Sequence, residues 1–168
     1  MKVVIADTSP INYLILVGAV ETLPRLYRRV TIPDVVLSEL ACDDAPAEVG
    51  AWAATPPAWV DVQPVLLSED PLLEALDAGE HAAILLAQKQ TDVLLLMDDA
   101  SGRAEAARRG VPTIGTLGVL RAASLQGIIA LPAVLVRLKA TNFRVPEDLI
   151  NELVAEDKRS RKLPGDEE

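Results

Sequence analysis

The sequence is poor in aromatic residues, cysteine and histidine. Only 3% of the 168 residues are aromatic, and the chain has one histidine and one cysteine, Cys42. A single cysteine excludes a disulfide scaffold and any zinc site built from several cysteines. The scarcity of Phe and Tyr argues against the base-stacking platforms that single-strand-binding proteins use.

Long apolar runs are also missing. None reaches the roughly 18 residues that a membrane span needs, since Glu21 and Arg25 interrupt the longest early stretch. The apolar stretch 3–6 is too short for a signal peptide, and Asp7 ends it. The sequence therefore predicts a cytoplasmic protein that has no membrane partner.

The charge balance is acidic, with 25 Asp and Glu against 16 Lys and Arg and a formal net charge of −9. Proteins that wrap nucleic acid usually present a basic face, so this balance argues against such a role. It does not exclude an enzyme that holds metal ions with carboxylates and meets phosphates through the metal. Half of the residues are hydrophobic, which excludes a disordered chain.

Short apolar runs alternate with longer amphipathic ones along the chain. The predicted strands are 2–6, 30–32, 59–65, 93–97 and 111–114. The predicted helices are 10–17, 20–27, 33–41, 47–54, 77–90, 102–109, 116–126, 132–139 and 146–159, with Ser9 as the first N-cap and Asp77 as that of the fifth helix. Wholly apolar strands between helices predict an α/β fold, a parallel sheet with helices on both faces. We expect a single domain over residues 1–157 and a charged tail over residues 158–168.

Acidic residues follow two of the predicted strands. Asp7 comes directly after the first strand, and Asp98 and Asp99 directly follow the strand 93–97. Ligands of open α/β sheets bind beyond the carboxyl ends of the strands. If the two strands are neighbours, these carboxylates converge on one site, whereas a single Asp at a strand end is as often a turn or cap residue.

Glu80 occupies the first turn of a predicted helix, on an apolar face. The residues three, four and seven positions later are Ala83, Ile84 and Ala87, so its carboxylate is expected to point inward. The helix dipole alone also favours an acid in a first turn, but that does not explain the face. The adjacent His81 is expected to have a surface or capping role.

Two further charged features remain open between a solvated and a functional interpretation. Glu39 follows Val35 and Val36 on one helical stripe, which favours an inward position, but a solvent-facing one fits equally well. Arg103 belongs to an arginine cluster with Arg108 and Arg109. Such a cluster is usually a solvated helix face, and it can also be a patch that contacts phosphate.

Carboxylates from separate elements, with no set of histidine or cysteine ligands, suit a hard cation such as Mg²⁺ or Mn²⁺. Such ions bind phosphate oxygens and lower the pKa of bound water, so they serve the hydrolysis of phosphodiesters. Carboxylates this close would repel one another without a cation.

In combination, these motifs resemble the PIN-domain family. The resemblance runs from about residue 2 to residue 126 and is carried by Asp-Thr-Ser-Pro at 7–10, Pro33 with Glu39, Gly79-Glu80, Leu-Met-Asp-Asp at 96–99 with Arg103, and Gly115-Thr116. The Asp-Asp pair is similar to a prokaryotic subgroup that is related to the VapC-type toxins of toxin–antitoxin pairs.

The resemblance implies a three-layer sandwich with sheet order 3-2-1-4-5 and an endoribonuclease that depends on Mg²⁺ or Mn²⁺. It implies Asp7, Glu39, Glu80 and Asp98 as catalytic acids, and Asp7, Glu80, Asp98 and Asp99 as metal ligands. Polar residues that orient metal or water would be Thr8, Ser9 and Thr116, and Arg103 would contact substrate. Because Asp98 directly follows the apolar run, we expect it to be the nearer ligand and Asp99 to be a supporting residue or helix cap.

The implied partners are an RNA substrate, a second copy of the chain and an antitoxin whose basic side chain enters the acidic pocket. The apolar residues of helices 10–17 and 20–27 offer a contact surface for such partners. One alternative stays open: a PIN-like domain without activity that binds RNA or protein. The full set of acids disfavours this alternative.

Overall fold

The structure is a computed structural model that describes residues 1–162. The strands are β1 (Val3–Ala6), β2 (Val30–Pro33), β3 (Val60–Gln63), β4 (Val93–Leu96) and β5 (Thr113–Ile114). The helices are α1 (Thr8–Leu16), α2 (Thr22–Tyr27), α3 (Asp34–Leu40), α4 (Ala47–Ala54), α5 (Pro71–Glu74), α6 (Ala78–Gln88), α7 (Ala100–Arg108), α8 (Thr116–Leu125), α9 (Leu131–Lys139) and α10 (Glu147–Arg161). Residues 158–161 of the expected tail belong to α10, and residues 163–168 lie outside the described part. None of the helices within residues 1–162 combines the length and apolar character that a membrane crossing requires.

The five strands form one parallel sheet in the order β3-β2-β1-β4-β5. This confirms the order 3-2-1-4-5. The central strands β1 and β4 pair over their full length, from Val3 with Val93 to Ala6 with Leu96. Because both strands therefore end at the same level, the residues that follow them meet at one edge of the sheet.

Alternate side chains of the central strands contribute to two separate cores. Val4, Ala6 and Leu96 pack into the larger core with helices that include α1, α3 and α8, whereas Ile5 and Leu95 pack into a second core with α6 and α7. This alternation follows from the two-residue period of a strand. Helices cover both faces, which confirms the three-layer α/β sandwich.

The structure differs from the prediction at the start of α1. The helix begins at Thr8 with Asp7 as its N-cap, rather than at Pro10 with Ser9 as the cap. Proline is tolerated so early because the first-turn N–H groups of a helix have no partner within the helix. As a result, Asp7 lies at the junction of β1 and α1, and Thr8 and Ser9 lie in the first turn.

The apolar residues of α1 and α2 are part of the core. Ile11, Leu14, Val17 and Leu23 are fully buried, and they pack in the larger core cluster. These four residues are therefore not free to contact a partner. Ile15, Leu16, Val20 and Leu26 are half-buried, so the expected contact surface of these two helices stays a prediction. Hydrophobic periodicity marks the buried face of a helix, but it does not show which neighbour covers that face.

Candidate functional site

Asp7 is the most deeply buried acid at the carboxyl edge of the sheet. Only 3% of its surface is exposed, and its Oδ1 has no hydrogen-bond partner among the described residues. The pKa of its carboxyl group is raised to about 8, mainly by burial and also by the charges of Asp77, Glu80 and Glu39, although a hydrogen bond from the Thr8 backbone opposes the rise. The fold thus holds a carboxyl group where its charged form lacks compensation.

Glu39 reaches the same place from α3, which follows the neighbouring strand β2. Its Oε2 accepts a hydrogen bond from the Thr8 hydroxyl, and its Oε1 accepts one from the backbone N–H of Gly79 at 3.0 Å. A Cβ atom at Gly79 would lie 2.5 Å from Glu39 Oε2 and 3.0 Å from Asp7 Oδ1. A residue without a side chain is therefore required for the two carboxylates to approach the start of α6.

The start of α6 brings two more acids to this edge. Asp77 is the N-cap, as predicted, and its side chain accepts a hydrogen bond from the Glu80 N–H at 2.8 Å. The Glu80 side chain in turn accepts one from the Asp77 N–H at 3.3 Å. This reciprocal pair is a capping box, which fixes both side chains on the first turn.

Asp7, Glu39 and Asp77 form the tightest acidic cluster. Each offers a carboxylate oxygen, and the three oxygens lie within 4.8 Å of one another. In the sequence, Asp77 is recognisable only as a helix cap. Its place three residues before Glu80 is fully explained by its role as an N-cap. That Asp77 lies near Asp7 could therefore not be inferred without the sheet order.

Glu80 lies beside this cluster with 8% of its surface exposed, which agrees with the predicted inward position. Burial raises the pKa of its carboxyl group to about 7, and the charges of Asp77 and Asp99 contribute. His81 is also buried and hydrogen-bonds through Nε2 to the Ser68 hydroxyl at 3.0 Å. The expected surface or capping role of His81 is thus wrong, because α6 buries its sides as well as its inner face.

Asp98 and Asp99 lie just beyond β4 and have different local partners. Asp98 accepts hydrogen bonds from both the backbone N–H and the hydroxyl of Thr116, each at 2.7 Å. Burial raises the pKa of Asp98, although these bonds and the charge of Arg103 oppose the rise. Asp99 is the N-cap of α7 and accepts a hydrogen bond from the Gly102 N–H at 2.8 Å.

A family model described as a PIN domain matches residues 3–159, nearly the whole chain. The chain belongs to the PIN-domain family. No curated protein and no solved structure matches it at a significant level. PIN domains are generally metal-dependent nucleases that act on nucleic acid, and the sheet order and the acids at the strand ends are consistent with this membership.

In this PIN domain the predicted site residues divide into two groups. Asp7, Glu39 and Thr8 meet in the inner cluster with Asp77. Glu80, Asp98, Asp99, Ser9 and Arg103 line a groove of about 890 Å³ that opens beside that cluster. Thr116 supports Asp98 at the groove edge. The two groups are joined through α6, because Asp77 and Glu80 share one capping box.

The inner cluster has the properties of a site for a divalent cation. It offers only carboxylate oxygens, which are the ligands that hard cations prefer. Asp7 Oδ1 is buried without a partner, and among the described residues no basic side chain is paired with Asp7, Glu39 or Asp77. A divalent ion would compensate the buried charge of Asp7 and offset its repulsion by Asp77, Glu80 and Glu39, the two causes that raise its pKa.

Proposed function

We propose that this PIN domain is an endoribonuclease that hydrolyses RNA phosphodiester bonds with Mg²⁺ or Mn²⁺. The observation that carries the proposal is the partnerless Oδ1 of Asp7, buried within reach of Glu39 and Asp77. Such an arrangement costs stability unless a cation binds there. Family membership supports the nuclease class, and the all-oxygen donor set supports the choice of metal.

In this proposal the inner acids hold the metal and the outer acids complete the site. Asp7 and Glu39 would bind it directly with help from Asp77, and Glu80 and Asp98 would complete the set from the groove. When bound, the metal would supply an activated water and charge for the leaving oxygen. Thr8 orients Glu39 and Thr116 orients Asp98 through the hydrogen bonds they donate. Asp99, Ser9 and Arg103 would support the site and the substrate from the groove.

Cleavage of RNA by purified protein tests this proposal. We expect cleavage in millimolar Mg²⁺ or Mn²⁺ and none in EDTA. Asp7→Asn, which keeps the shape of the side chain and removes its charge, should lower the rate at least a hundredfold, equivalent to about 2.7 kcal/mol of barrier. Lys89→Ala, on the far end of α6, should cleave at the wild-type rate. Full activity of Asp7→Asn, in a preparation shown to be free of contaminating nuclease, would refute the assignment of Asp7.

We further propose that the protein is the toxin half of a type II toxin–antitoxin pair and acts as a cytoplasmic homodimer. The resemblance of the Asp98–Asp99 pair to the VapC-related subgroup supports the toxin role, and the acids at the strand ends fit a basic side chain of an antitoxin. Induced expression should arrest growth of a bacterial host, and Asp7→Asn should relieve the arrest. Sedimentation that shows only monomer at micromolar concentration would contradict the dimer.

One observation favours the second candidate, a binding module without activity. Apart from Asp7, each predicted acid already has a structural partner: Glu39 bonds to Thr8, Glu80 to the Asp77 N–H, Asp98 to Thr116 and Asp99 to the Gly102 N–H. These bonds alone are a sufficient reason for the acids to be present. The module predicts RNA binding without cleavage in either metal, and the cleavage assay separates the two functions.

A further inference from the structure

The groove beside the acidic cluster extends well beyond the proposed catalytic residues. Its lining includes Glu80, Asp98 and Asp99 and also residues 142–146, which connect α9 to α10. We call residues 142–146 the connecting segment. The groove volume of about 890 Å³ lies within the roughly 300–1,000 Å³ of typical ligand pockets. The C-terminal helices thus supply a wall that the acidic cluster itself does not need.

The connecting segment is held in place by α1, the helix that begins at the acidic cluster. The Tyr13 hydroxyl donates a hydrogen bond to Asn142 Oδ1 at 2.7 Å. The Tyr13 ring meets Phe143, the only Phe of the chain, edge to face with ring centres 4.8 Å apart. Asp7 and Tyr13 therefore lie on one short helix, so the distance from the acidic cluster to the connecting segment is set by the fold.

All five residues of the connecting segment line the groove, and they differ in burial. Phe143 and Val145 are half-buried and pack against the larger core. Arg144, between them, is exposed and lines the groove. The packing of its two neighbours thus fixes the backbone of Arg144 at the wall of the groove that Glu80, Asp98 and Asp99 also line.

Arg103 and Arg144 are the arginines that line the groove, and neither forms an ion pair within residues 1–162. Arg108 and Arg109, at the end of α7 and away from the groove, are paired with acids. Arg25, Arg28 and Arg29 also lack an ion pair in the described residues, so Arg103 and Arg144 are distinguished by their shared place in the groove. Arg103 is close to the site, because a Cβ atom at Gly115 would lie 2.9 Å from its Nη1 and 3.0 Å from Asp98 Oδ1. In an acidic protein, two unpaired guanidinium groups along one groove favour a ligand with successive negative charges.

Apolar side chains also line the groove between these charges. Leu149, on α10, has 40% of its surface exposed, and Leu117, on α8, is half-buried; both border the groove. Cations together with apolar surface match a ligand that alternates phosphates with flat, weakly polar rings. A guanidinium plane can itself stack on a base, which reduces the need for aromatic side chains.

We propose that this groove binds single-stranded RNA on one side of the bond to be cleaved, with Arg103 and Arg144 each contacting a phosphate and Leu117 and Leu149 contacting a base. This inference rests on the proposed function, which supplies the RNA. It gives the C-terminal helices a role, namely to carry the connecting segment as a substrate-binding wall. A duplex is disfavoured because its paired bases face inward and cannot reach the two leucines at the groove wall.

Binding of a short fluorescein-labelled oligouridylate in EDTA tests the inference, because no metal-dependent cleavage occurs there. We expect Arg144→Ala to weaken binding about tenfold, as for the loss of a charged hydrogen bond. It should also reduce the slope of log affinity against log salt by about 0.7, the value for one phosphate contact on a single strand. Arg144→Lys should retain the slope. Arg25→Ala, which removes an exposed arginine of α2 outside the groove, should change neither quantity.

The outcomes separate this inference from the proposed function. Equal effects of Arg144→Ala and Arg25→Ala, or no binding by the wild type, would overturn the groove assignment, even if Mn²⁺-dependent cleavage is observed. An RNA hairpin that binds as tightly as the oligouridylate, with the same dependence on Arg144, would overturn the preference for single strands. Binding that depends on Arg144 without cleavage in any metal would uphold the groove and refute the nuclease. If both RNA binding in the groove and metal-dependent cleavage are observed, Arg144→Ala should raise KM and leave kcat nearly unchanged.

Discussion

Glu80 and Glu105 have the same exposure, 8% of the residue surface, but opposite electrostatic surroundings. Glu105, on α7, accepts hydrogen bonds from Arg108 and Arg109, which lower its pKa. Glu80 faces Asp77 and Asp99, and burial together with their charges raises its pKa to about 7. The neighbours of Glu105 are thus arginines that stabilise its charge, whereas the neighbours of Glu80, at the strand ends, are further acids that destabilise its charge.

The same contrast separates Asp7 from Asp157, another buried acid. Asp157, on α10, accepts a hydrogen bond from Ser124 and pairs with Arg161 at 3.1 Å. Within residues 1–162, Asp7 forms no ion pair, and its Oδ1 accepts no hydrogen bond. A buried, uncompensated charge is costly, so the arrangement is expected only where a bound cation completes it.

The largest expected effect is that metal reverses the order of stability of the wild type and Asp7→Asn. Without metal, the substitution removes repulsion, so the variant should melt no lower than the wild type in EDTA. A cation that binds only the folded protein adds roughly 2.7 kcal/mol at a hundredfold excess over its Kd, and the variant should lose most of this gain in millimolar Mn²⁺. Thermal melting in both buffers measures the effect. Parallel shifts in the two buffers would show that Asp7 is only a helix cap.

The second effect concerns pH in the absence of metal. The folded pKa of Asp7, about 8, lies above its unfolded value of 3.8, so its contribution to stability is fully present below pH 4 and is lost as the pH rises toward 8. Between pH 5 and pH 8 the wild type should lose ~2 kcal/mol or more relative to Asp7→Asn. Urea unfolding in EDTA measures this difference, and a constant difference across the range would contradict it.

The third effect distinguishes the adjacent acids at the end of β4. Asp98→Asn should lower the rate of RNA cleavage about tenfold more than Asp99→Asn, a difference of about 1.4 kcal/mol in barrier. The reason is that Asp99 acts as the N-cap of α7, a position where Asn is equally effective. Single-turnover cleavage in Mn²⁺ provides the comparison. A greater loss for Asp99→Asn would reverse the assignment of the nearer ligand.

The smallest effect tests the contrast between Glu80 and Glu105 directly. Glu80→Gln retains the acceptor for the Asp77 N–H and removes a repelling charge, so it should raise the stability in EDTA by about 1 kcal/mol. Glu105→Gln, the matched control, weakens bonds to two arginines and should lower the melting temperature, equally with and without Mn²⁺. If both variants shift stability in the same direction in EDTA, the two glutamates do not differ in the way we describe.

The strands, nine of the ten helices within residues 1–162 and the outer acids were predictable because their signals are local, whereas the short helix α5 was not predicted. The wholly apolar runs of β1 and β4 indicated buried parallel strands, and the apolar face around Glu80 indicated its inward position. Asp77 as a site residue, the burial of His81 and the groove wall at Arg144 were not predictable. Each depends on a contact between residues distant in sequence, such as the Gly79 N–H with Glu39 and Tyr13 with Asn142.

By itself, the sequence determined the layered α/β fold and the placing of acids after strands, because hydrophobic periodicity and strand ends are properties of short segments. Only the tertiary structure decided which acids share one site. Sheet order brings the ends of β1, β2 and β4 together, and the missing side chain at Gly79 lets the start of α6 approach Asp7 and Glu39. The sequence specifies which side chains are acidic, but the pKa of each depends on neighbours and burial that exist only after folding.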